Sequence, residues 1–92
     1  MNTVDYITLK DNAIEARKAQ LRVRRLYQEN ANHDLGALYA YLYRYVDAVG
    51  ANPPVLSSVF LSPKTFETWL NDLDKWFFTV AALYDITLPE EE

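Results

Sequence analysis

A chain of 92 residues has room for one domain, since domains of roughly 50–250 residues are the norm. Half of its residues are hydrophobic and its net charge is only −4, which excludes the apolar-poor, highly charged composition of a disordered chain. Cysteine is absent, which excludes a disulfide framework, a thiolate zinc site and a cysteine nucleophile.

So short a chain buries a limited fraction of its surface, and bulky side chains make up for it. There are 2 Trp, 7 Tyr and 4 Phe, and each large aromatic buries about 150–250 Å². Charge is uneven along the chain. Residues 1–45 carry seven basic and five acidic side chains, whereas residues 46–92 carry two basic and eight acidic. That asymmetry suits self-association or an ordered docking partner. Met1–Asp5 has no basic start and no apolar run follows, so no secretory signal is expected. The longest apolar stretch, Trp76 to Tyr84, falls far short of the ~20 residues a membrane-spanning helix needs. A cytoplasmic protein with no membrane contact is the expectation.

Taken in chain order, residues 1–10 read as an arm or as an extra turn of the helix that follows, because Val4 to Leu9 fits either. The first helix is expected from about Asp11 to Asn30, rich in Ala, Leu, Arg, Lys, Glu and Gln. Asp11 and Glu15 lie near its start and Arg22, Arg24 and Arg25 near its end, the favourable order for the helix dipole. The second helix is expected from about His33 to Val49, with Asn32 as N-cap and Gly50 as stop. Tyr39, Tyr41, Tyr43 and Tyr45 alternate as in a strand. Leu38, Tyr41, Leu42, Tyr45 and Val49 nevertheless follow helical spacing, and the helix is preferred. Pro53-Pro54 forces extended backbone, and Val55 to Leu61 is expected to form a short helical turn over the core. The third helix is the clearest. Ser62-Pro63 is a cap followed by proline at the first helical position. Phe66, Trp69, Leu70, Leu73, Trp76, Phe77, Val80 and Tyr84 form one apolar stripe. Residues 86–92, ending in three glutamates, read as an acidic solvated tail. The fold expected is therefore all-α, a compact bundle of three main helices with a short extra turn between the second and third.

Catalytic groups are scarce. His33 is the one histidine; Asp34 follows it directly, but adjacent helical residues point apart and no nucleophile is identifiable. Ser57-Ser58 lacks the glycine-flanked elbow of a serine hydrolase. Glu67 and Asp74, seven residues apart with Asn71 between them, share a helix face and have the elements of a cation or acid–base site. A solvated helix face explains them as well. Two isolated glycines make no phosphate loop. No catalytic residue, metal or cofactor is expected.

Surfaces are more informative. On the first helix Ala16, Ala19, Val23, Leu26 and Tyr27 cluster on one side. Ile14 and Leu21 fall nearly opposite, joined by Ile7 if the helix extends backwards. In a three-helix bundle that second stripe lacks an intramolecular partner, so Ile7, Ile14 and Leu21 are candidate contacts to another chain. The alternatives are a different fold in which both stripes are internal, or exposed aliphatics on an ordinary surface. Arg17, Lys18, Arg22, Arg24 and Arg25 surround the stripe as a candidate phosphate-binding patch, or as a solvated face with pairs such as Glu15–Lys18 and Arg25–Glu29. Phe78 falls off the third helix's stripe, on the side of Glu67, Asn71 and Asp74, and either serves as an interface anchor or packs under the Pro53-Pro54 loop. Tyr39 and Tyr43 lie off the centre of their own stripe and either widen the core or face a partner. The leading functional expectation is a non-enzymatic protein–protein interaction module: an oligomerising subunit, adaptor, assembly chaperone or small inhibitor. Such chains are common among accessory proteins of bacteria and their viruses. The alternative is a small nucleic-acid-binding helical domain using the basic face of the first helix.

Overall fold

Three helices build the protein: α1 (Thr3–Glu29), α2 (Leu35–Val49) and α3 (Pro63–Tyr84). The computed structural model describes residues 3–29, 34–56 and 61–90. Among these there is no strand, and the fold is an all-α three-helix bundle. At about 1.5 Å per residue α1 is roughly 40 Å long and α2 only about 22 Å, so the ends of α1 and α3 have to cover the core where α2 stops.

Local chemistry sets the limits of α3. Ser62 has extended backbone, and its Oγ accepts from the Thr65 N–H at 3.3 Å. Thr65 Oγ1 in turn accepts from the Ser62 N–H at 2.9 Å. This reciprocal box uses two amides the first turn would otherwise leave unpaired. Proline at the first helical position has no amide to lose. Phe66, Trp69, Leu70, Leu73, Trp76, Phe77 and Val80 are all buried along one face. The helix ends where Asp85 takes left-handed backbone, φ 53°, and the Ile86 N–H closes onto Ala81 O at 3.0 Å.

α2 is helical despite the alternating tyrosines. Leu38, Leu42, Val46 and Val49 supply its buried face, a spacing that a strand would split between two sides. Its N-cap is Asp34, whose Oδ1 accepts from the Ala37 N–H at 3.3 Å. The helix thus starts two residues later than a cap at Asn32 implies, because the Asp34 carboxylate does the capping. Asn32 and His33 lie outside the described residues. Gly50 ends the helix at φ 75°, a conformation glycine adopts without steric penalty.

α1 begins about two turns earlier than composition suggests, so Val4 to Leu9 belongs to the helix and not to an extended arm. The reason is tertiary. Leu9, Ala13, Ala16, Gln20, Val23 and Tyr27 repeat at alternating steps of four and three, and all are buried. Leu9 therefore continues the core seam towards the N-terminus, and Tyr6 OH anchors the extra turns by donating to Tyr84 O at 3.0 Å. The alanines on this seam allow the neighbouring helix axes to come close.

The hydrogen bonds between helices define the topology. Asn12 Nδ2 donates to Ala48 O at 3.1 Å, and the Arg22 guanidinium donates to Tyr41 OH, so α1 runs antiparallel to α2. Tyr6 meets Tyr84 while Tyr27 OH donates to Glu67 Oε1 at 2.9 Å, so α1 is antiparallel to α3 as well. α2 and α3 consequently run the same way, and residues 50–62 must carry the chain back along the bundle. Two indoles hold that crossover. Trp76 Nε1 donates to Ala51 O at 2.8 Å, and Trp69 Nε1 donates to Pro54 O at 2.9 Å. The extra helical turn expected between α2 and α3 falls mainly on residues 57–60, outside the described residues; Val55, Leu56 and Leu61 beside them are not helical.

Residues 86–90 are not a solvated tail. Ile86 is buried, Leu88 and Pro89 are half-buried, and the chain folds back over α1 and α3. The acidic end masks an apolar Ile86-Thr87-Leu88-Pro89 segment, whose burial outweighs the charge that follows it.

Candidate interaction surface

Gln20 sits on the core seam of α1 and is wholly buried. A buried amide must find partners, and α3 provides them. Gln20 Nε2 donates to Leu70 O at 3.2 Å and to Asp74 Oδ1 at 2.8 Å, while its Oε1 accepts from the Arg17 guanidinium. Arg17 also donates to Asp74 Oδ1 at 3.0 Å, and Arg24 donates to Asp74 Oδ2 at 2.9 Å. One carboxylate thus receives two guanidiniums, seven residues apart on α1. Arg17 further lies 5.5 Å from the centre of the Phe77 ring and donates through Nε to Pro89 O at 3.2 Å. That last bond ties residues 86–90 to the α1–α3 seam. We call this segment the strap.

Beside the strap lies a groove of about 590 Å³, lined by Arg17, Asp74, Phe77, Phe78 and Ala81 and by residues 86–90. Its volume is that of a ligand or side-chain site. Phe78 forms part of one wall and is 70% exposed. An aromatic ring so open beside a groove and a charged pair has the make-up of an interface anchor.

The residues singled out from the sequence separate in the structure. Phe78 is exposed, one of the two outcomes that its off-stripe position left open. Ile7 is also exposed, at 52%. Ile14 and Leu21 do not form a free stripe. Both are half-buried, and Ile14 packs against the core. Tyr39 and Tyr43 widen the core: their rings stack at 5.6 Å, and Tyr39 lies 4.5 Å from the Trp69 ring. Among the basic residues, Arg17 and Arg24 are drawn in by Asp74, Arg22 reaches Tyr41, and Lys18 pairs with Glu15 at 3.2 Å. Arg25 is exposed, and among the described residues it makes no ion pair with Glu29. The arginines on α1 therefore serve largely as internal ties.

Glu67 and Asp74 do not converge on a common point. Glu67 accepts from Tyr27, whose phenol is pushed above its ordinary value by burial and then by the neighbouring carboxylate. Asp74 is occupied by its arginines and Gln20. Among the described residues no group of three or more metal-binding side chains forms, and no helix is long and apolar enough to cross a membrane.

Sequence reasoning missed Gln20, the strap and Leu83, which is 72% exposed near the end of α3. Gln20 could have been found, since it occupies the fourth position of the seam that runs from Leu9 to Tyr27. Compared with family models, curated proteins and solved structures, the chain has no match.

Proposed function

We propose that this chain is a non-enzymatic protein–protein interaction module that docks another chain on the surface around Phe78. The observation that carries the reading is the 70% exposure of Phe78 beside the strap groove. Single exposed apolar groups are ordinary, but an open aromatic next to a concave wall is where binding energy concentrates. The rigid seam of Gln20, Arg17 and Asp74 beneath it supports the same reading, because a held backbone spends less ordering entropy on association. The use of Arg17 and Arg24 as internal ties favours a protein partner over nucleic acid.

Native mass by light scattering after gel filtration tests this, with a second copy of the chain as the first partner assayed. The wild-type mass is expected to rise with concentration, and Phe78→Asp is expected to stay monomeric with an unchanged helical circular dichroism spectrum. Equal masses for the two proteins at every concentration would count against Phe78 as the anchor.

A further inference from the structure

We propose that the strap, residues 86–90, exchanges between two copies of this chain, each strap seating over Arg17 and Phe77 of the other. The inference rests on the interaction reading above and names its partner.

Three observations converge on it. The contacts that hold the strap show what the seat accepts: buried Ile86, half-buried Leu88 and the Pro89 carbonyl on Arg17. A strap from a second copy makes the same contacts, so exchange loses none of them. The reversal that brings the strap home depends on Asp85, a residue with a Cβ held at φ 53°, ψ 52°. Left-handed backbone is disfavoured for residues with a Cβ, though less so for Asp than for Ala. If Asp85 turns helical, α3 runs straight on. The Ile86 N–H then donates to Ala82 in ordinary helical register in place of Ala81, and the strap leaves its own body. Finally, the strap, α3 and Arg17 border an open groove of about 590 Å³. Phe78 and Ala82, one turn apart, are both exposed on the face that a second copy would cover. Exchange of a segment through a hinge of this kind is a low-cost route to a symmetric pair.

The hinge separates this proposal from simple association through Phe78. Native mass is measured across a concentration series for the wild type, Asp85→Gly and Asp85→Ala. Glycine removes the penalty on the reversed turn and weakens the straight helix, whereas alanine raises the penalty and favours the helix. Exchange requires the dimer of Asp85→Gly to dissociate roughly tenfold or more readily than wild type, and that of Asp85→Ala to be the tightest of the three. Equal dissociation constants for all three overturn exchange and leave association through Phe78 standing. Monomers throughout, Asp85→Ala included, overturn both.

Discussion

Gln20 Nε2 and Asp74 Oδ1 meet at 2.8 Å across the seam between α1 and α3, joining a wholly buried amide to a carboxylate at the groove's edge. The pair links core to surface, since Asp74 also receives Arg17 and Arg24, and Arg17 holds the strap. Loss of the carboxylate leaves two half-covered guanidiniums and the Gln20 amide short of partners. Asp74→Ala is expected to cost about 1–3 kcal/mol, the range for a polar group stripped of its partner, and not the larger cost of a fully buried ion pair. Urea unfolding followed by circular dichroism measures it. Loss of less than a few tenths of a kcal/mol would show that the network adds nothing.

The indole of Trp76 donates to Ala51 O, and a phenylalanine there keeps an aromatic ring but lacks the donor. Trp76→Phe is expected to destabilise by about 1–3 kcal/mol through the unpaired carbonyl and the volume lost. Amide hydrogen exchange should quicken first in the crossover near Ala51. Faster exchange confined to α1 would contradict the role given to this bond.

Each of the two helix caps is open to a single substitution. Ser62→Ala removes the acceptor for the Thr65 amide, and Asp34→Ala removes the one for Ala37. Each should lower stability by about 1 kcal/mol in thermal or urea unfolding. The Ser62 change is expected to be the larger, because its cap is reciprocal. Two changes of no effect would argue that tertiary packing alone defines both helix starts.

How much of this was legible in the sequence depended on the kind of residue. The α3 stripe from Phe66 to Val80 and its Ser62-Pro63 start could be read directly, because apolar spacing and cap chemistry agree there. Phe78 could be placed off that stripe for the same reason, whereas its exposure could not. The first turns of α1 could not, since their helicity depends on Leu9 and Tyr6 meeting other helices, which local propensity does not encode. Gln20 was hidden because a polar residue gives no apolar signal, and its burial depends on partners 50 and more residues away. Ile86 and Leu88 were obscured by the glutamates after them. The half-burial of Ile14 and Leu21 depends on neighbours that the spacing of α1 alone does not reveal.

Tyr27 supplies a pH test. Its phenol titrates above the ordinary value of about 10, from burial and then from Glu67. The unfolded chain loses this proton at a lower pH than the native one. The contribution is therefore fully present below about pH 10 and is lost as pH rises through the native value. Tyr27→Phe should flatten the fall in stability above pH 10 and change little at pH 7 beyond the lost hydrogen bond. An identical decline in both proteins above pH 10 would contradict it.

Whether the surface around Phe78 binds another chain is decided by native mass against concentration for the wild type and Phe78→Asp. The wild type is expected to grow in mass with concentration while Phe78→Asp remains a folded monomer. A Phe78→Asp protein that associates as the wild type does would contradict binding through that surface.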